Sequence, residues 1–208
     1  MFPEIFVPEV GKMALRTFLI GSLFASVLTI PCHAEDSKDI PEKKRTKAGL
    51  YLTSAEAAHM LDDENVVLLD VRSRPEITFV GLPNRVDVHI PLMMMPQTVS
   101  YDPDKKGYQL EQNSAFEFDF LDYTEAHNIA EETPIVVLCR SGSRSARAAN
   151  ILYDLGYTQV YSVIDGFEGD KAKEGPKAGQ RVLNGWKNAG LAWSYSISSD
   201  QVYPADLN

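Results

Sequence analysis

Residues 136–146 read "VVLCRSGSRSA". The run from Ile135 to Leu138 is apolar and rich in β-branched residues, the pattern of a strand covered on both faces, and it stops at Cys139. A short turn of Arg, Ser and Gly follows. Ala148, Ile151, Leu152 and Leu155 then recur at i, i+3, i+4 and i+7, which predicts a helix with one apolar face, ended at Gly156. A strand, a tight turn and a helix in that order form a βα unit, and open parallel sheets bind their ligands at the carboxyl ends of the strands. Cys139 stands at such an end.

The same two periodicities organise the rest of the chain. "VVLLDV" (66–71), "RVDVHI" (85–90) and "QVYSVI" (159–164) read as further strands. Thr53 with Glu56 three residues on is a capping box that opens a helix in "LTSAEAAHML". Phe116, Phe120 and Tyr123 give a second helix its core stripe. Strands alternating with helices predict an α/β fold with a mostly parallel sheet and no internal repeat. Residues 93–113 form a long excursion with three adjacent methionines, Met93 to Met95. These could suggest copper, but adjacent methionines more often fill an apolar gap. Residues 168–185, rich in Gly, Lys and Glu, read as an insertion, and Trp186 as the opening of a last short helix.

A chain of 208 residues suits one domain, and its net charge of −9 argues against a nucleic-acid partner. Lys12 and Arg16 precede the apolar run "TFLIGSLFASVLTI" (17–30), and Ala34 stands before a charged stretch. That is the pattern of a secretory signal peptide over residues 1–34, with Met13 as an alternative start and an uncleaved anchor as the competing reading. The expected organisation is a flexible leader at 35–48, a domain at 49–193 and a loose polar tail at 194–208. The expected location is periplasmic or secreted, off the membrane after cleavage. Cleavage would remove Cys32 and leave Cys139 alone, so no internal disulfide forms. The remaining thiol is buried and inert, paired with another chain, or reactive, and composition does not choose among these.

The loop does tilt the choice. A lone cysteine after an apolar strand is most often a small core hydrophobe. A core residue, however, has no use for Arg140, Arg144 and a glycine turn at Gly142. The first amides of the following helix point back at the loop and favour an anion there, so the position favours the nucleophilic thiolate. The same cradle would hold a bound oxyanion. With one mature cysteine and scattered histidines, no metal-ligand spacing exists.

"CRSGSRSA" (139–146) resembles the active-site loop of rhodanese-type sulfurtransferases. "VVLLDVRSRPE" (66–76), "VHIPL" (88–92), "SVIDGFEG" (162–169) and "NGWKNAGL" (184–191) are similar to further signatures of that family, in the right order across about residues 50 to 192. The resemblance implies a rhodanese-like three-layer α/β/α fold and no cofactor. It implies a persulfide on Cys139, formed from a small anionic sulfur donor such as thiosulfate and passed to cyanide or a thiol. Arg140, Ser141, Gly142, Ser143 and Arg144 would bind the substrate, and Asp70 and Arg72 would organise the pocket. His89, in the His-Ile-Pro step, reads as structural. This chain departs from the family around that step, where Val88 precedes the histidine and Leu92 follows the proline, which puts the sulfur donor in question. A cysteine-dependent phosphatase needs five residues between Cys and Arg, and here four separate Cys139 from Arg144. The remaining alternative is a sulfane-sulfur carrier or redox partner of another exported protein.

Overall fold

The computed structural model describes residues 40–204. The expected signal peptide (1–34), residues 35–39 of the leader and the last four residues of the tail lie outside the described residues. Five strands form one sheet: β1 (Tyr51–Leu52), β2 (Val67–Asp70), β3 (Val88–His89), β4 (Ile135–Leu138) and β5 (Val160–Val163). Their spatial order is β1-β5-β4-β2-β3 and every pair is parallel. The strand that leads into Cys139 is therefore the central one. Its register sets Leu138 beside Asp70, and Asp70 beside His89 on the far side.

Both faces of the sheet are covered, which is why β4 is apolar at every position and β2 at all but its last, rather than at alternate ones. Val67, Leu69, Ile135, Val137 and Cys139 pack with Phe116 and Phe120 of α3 (Phe116–Ala126) and with Ala148 and Leu152 of α4 (Ser143–Asp154). Leu68, Val136 and Leu138 pack with Ala57 of α1 (Ser54–Met60) and Ile77 of α2 (Arg74–Val80). Each fully buried Val or Leu side chain here contributes about 1.5–3 kcal/mol. The result is the three-layer α/β/α arrangement expected from the sequence.

Helix α1 starts as anticipated: Glu56 accepts the Thr53 N–H at 2.8 Å, and Thr53 Oγ1 accepts the Glu56 N–H at 3.3 Å. Helix α2 is a finding of the structure. Its local signal is the same kind of box, Ser73 with Glu76, and Pro75 in the first turn.

Three expectations are corrected. Residues 40–48 of the supposed flexible leader are packed, with Ile40 and Lys44 buried and a short 3₁₀ turn at Glu42–Lys44. The Lys44 stem lies against the cysteine loop, and the Lys47 N–H donates to Asn150 Oδ1 of α4 at 2.7 Å. Their charged composition hides this, because lysine buries its stem while its ammonium finds a carboxylate. The tail is also held as far as it is described. Trp193–Ser194 pairs antiparallel with Leu82–Pro83, Gln201 donates to the Val86 carbonyl at 3.0 Å, and Tyr203 donates to Asp119 at 2.6 Å. After Trp186 the chain makes a single tight turn instead of a helix, closed by the Leu191 N–H on the Trp186 carbonyl. The methionine excursion forms two short antiparallel ribbons, Met93–Met94 with Glu111–Gln112 and Tyr101–Asp102 with Gly107–Tyr108. Met93 packs on the core beside α4.

Candidate active site

Cys139 leaves the central strand with 1% of its surface exposed. The chain turns sharply over the next three residues, so that the Gly142 amide points back and donates to Cys139 Sγ at 3.2 Å. Gly142 has φ +99°, and a Cβ there would lie 2.1 Å from the Ile164 carbonyl oxygen, so only glycine fits. Helix α4 begins directly after it and directs its N-terminal amides toward the sulfur's end of the sheet.

Ser145, in the first turn of α4 and fully buried, places its hydroxyl 3.6 Å from Cys139 Sγ. The Gly142 carbonyl at 2.9 Å, the Val163 carbonyl at 3.2 Å and the Ser162 hydroxyl at 3.1 Å surround the same oxygen. One hydroxyl proton has several acceptors, so Ser145 can accept from a thiol or turn its proton toward a thiolate. The loop after β5 closes the turn from outside. The Phe167 N–H donates to the Cys139 carbonyl at 2.7 Å and the Glu168 N–H to the Arg140 carbonyl at 3.0 Å.

The arginines divide. Arg140 is exposed, and Ser141 and Ser143 are half-buried on the turn. Arg144, expected to attract a substrate, instead gives both terminal nitrogens to Glu76 of α2, at 2.7 and 2.5 Å. That expectation is revised: the guanidinium is largely covered and already compensated. Burial alone would push the Glu76 carboxyl up. The Arg144 hydrogen bonds and charge, joined by the Ser73 N–H and hydroxyl, outweigh burial and hold it at about 2. Glu76 thus fastens α2 to the cysteine loop. Nothing in the sequence around Glu76 announces this partner, which lies 68 positions away.

Asp70 and Arg72 form a fully buried ion pair, with Arg72 Nη2 to Asp70 Oδ2 at 2.6 Å and Nε to Oδ1 at 3.0 Å. The guanidinium lies 4.0 Å above the Phe167 ring. The pair thereby ties β2 to the loop that closes over Cys139, and it is out of contact with solvent. The Arg72 carbonyl accepts from His89 Nε2 at 2.8 Å.

His89 yields a pH prediction. Burial, the leading cause, lowers its pKa, and the Asp70 charge and the bond to the Arg72 carbonyl only partly oppose this. The unfolded histidine takes up a proton near 6.5, and the folded one only at lower pH. The unfolded state therefore holds more protons below about 6.5, and stability falls with acidification until the folded pKa is passed. The melting temperature should drop from pH 7.5 to pH 5, with a shallower drop in His89→Gln. Equal slopes in the two proteins would remove His89 as the source.

Fold and site together define a cysteine-headed turn held at the end of the central strand of a parallel α/β/α domain. Residues 53–173 match the model of the rhodanese-like domain. The chain belongs to the rhodanese-like domain family. It is 31% identical over 145 residues to an uncharacterized protein of Rickettsia prowazekii, covering 69% of this chain and 96% of that one. It is 31% identical over 119 residues to the thiosulfate sulfurtransferase GlpE of Actinobacillus succinogenes, covering 57% and 80% respectively. Among solved structures it resembles the crystal structure of Rv0390 from M. tuberculosis, with TM-score 0.51, 31% identity, and coverage of 70% of this chain and 97% of that one.

Proposed function

We propose that this chain is a sulfurtransferase that carries sulfane sulfur as a persulfide on Cys139. The Cys139 thiolate attacks the outer sulfur of a donor such as thiosulfate, the S–S bond of the donor breaks, and sulfite leaves with its electron pair. The acceptor, cyanide or a thiol, then attacks the terminal sulfur of the persulfide and returns the thiolate. The observation that carries this reading is the Gly142 N–H directed at Cys139 Sγ from a turn of six residues, Cys139 to Arg144. Such a turn compensates an anionic sulfur and leaves a ring of amides for the transferred one. Asp70 and Arg72 act by holding the closing loop in place. A protein thiol would serve as a second kind of acceptor by the same attack. The N-terminal pattern of residues 1–34 supports export.

One mass measurement on protein purified from its native cells tests these points. After treatment with thiosulfate, the chain should gain one sulfur, about 32 Da, on Cys139, and lose it to cyanide or dithiothreitol. A mature chain beginning at Glu35 is expected if the signal peptide is cut. An unmodified Cys139 after treatment, together with no thiocyanate formed, would sink the thiosulfate reading.

A further inference from the structure

The segment after β5 does more than close the turn. Glu168 is bonded through its amide to the Arg140 carbonyl, and the chain from Gly169 loops out and comes back. Lys171 bridges to Arg181, and the Asp170 N–H donates to Asn184 Oδ1 at 2.7 Å. Gly169 and Gly185 are in such close contact that a Cβ on Gly185 would meet the Gly169 nitrogen at 2.4 Å. This return brings the Arg181 guanidinium to the Gly169 carbonyl, to which its Nη1 donates. The Arg181 guanidinium is thereby fixed to the backbone next to Glu168, whose own amide is bonded to the Arg140 carbonyl of the cysteine turn.

The charges around the mouth are compensated unevenly. Arg72 is paired with Asp70, Arg144 with Glu76 and Lys44 with Asp170. Among the described residues, neither Arg140 nor Arg181 makes an ion pair. Burial lowers the Arg181 pKa and the Arg140 charge lowers it further, while the charges of Glu168, Asp170 and Cys139 oppose this. Two guanidinium groups that repel each other and make no ion pair cost free energy while the site is empty, and a doubly charged anion between them would remove that cost.

We propose that Arg181 is a donor-binding residue, forming with Arg140 the receptor that draws a dianionic sulfur donor to Cys139. The proposal rests on the sulfurtransferase reading for the identity of the anion, and on the placement of Arg181 for its site. It assigns to the 168–185 segment the role that Arg144 cannot fill.

The test uses the full chain with Arg181→Gln and Arg181→Lys, and two readouts. In steady-state transfer from thiosulfate, Arg181→Gln should raise KM about tenfold with kcat within about twofold, and Arg181→Lys should restore most of the loss. In alkylation of Cys139, the rate with anionic iodoacetate should fall about fivefold in Arg181→Gln relative to neutral iodoacetamide. A residue that only props the loop would change both alkylation rates together and would gain nothing from lysine. An unchanged iodoacetate-to-iodoacetamide ratio overturns the proposal. If the wild type transfers no sulfur from thiosulfate, the sulfurtransferase reading fails by itself, and the alkylation ratio still decides whether Arg181 recruits anions.

Discussion

Cys139→Ser is expected to abolish sulfur transfer, by at least about a thousandfold, while leaving the fold in place. The alcohol is a far weaker nucleophile than the thiolate, and no second cysteine stands in the described residues to replace it. Serine is close to cysteine in size and keeps a polar atom where the Gly142 N–H can donate, so the turn retains its partner. The Ser145 hydroxyl 3.6 Å away offers the new hydroxyl a second one. Stability should therefore shift by no more than about 1 kcal/mol, read from urea unfolding. The chemical readout is the rate of thiocyanate formation and the sulfur adduct by mass. Measurable persulfide or turnover in Cys139→Ser would place the sulfur on another group and would discard the mechanism.

The parts of this site that sequence alone discloses are the local ones. The apolar run into Cys139, the glycine three residues on and the 3.6-residue period of α4 lie within 20 positions of one another, and each follows from backbone preference or one-sided burial. Distant partners follow no such rule. Arg144 finds Glu76 across 68 positions, and nothing in either neighbourhood distinguishes that pairing from an anion receptor. Lys44 stands in a stretch that reads as a flexible leader and Arg181 in one that reads as an insertion, because the sequence does not show that the Lys44 stem packs or that two glycines bring Arg181 back to the loop. Strand β1 is two residues long, too short for a period to register. The alternation at 85–90 does announce β3, although only Val88–His89 of it pairs as strand. Charge at a binding site is thus decided by who is already paired. In this molecule Arg144 is paired with Glu76, whereas Arg140 and Arg181 make no ion pair among the described residues.

Gly142→Ala should be strongly destabilising, because it meets two separate penalties. The first is backbone strain: φ of +99° is a region L-residues rarely adopt, at a cost of about 1–3 kcal/mol. The second is collision. The added methyl would stand 2.1 Å from the Ile164 carbonyl oxygen and 3.0 Å from the Lys44 side chain, so β5 and the cysteine turn must separate. The total should be about 3 kcal/mol or more, a fall in melting temperature of roughly 6–12 °C for a domain of this size. Separation also swings the Gly142 N–H away from Cys139 Sγ, and sulfur transfer should drop about a hundredfold, the scale of losing one preorganised anion contact. Gly175→Ala isolates the strain, since Gly175 has φ +76° and open space around its Cβ position. That variant should lose about 1 kcal/mol and keep its activity. Equal losses in the two variants would mean that backbone strain alone is responsible. The contact between Ile164 and the cysteine turn would then not be what holds the Gly142 amide on the sulfur.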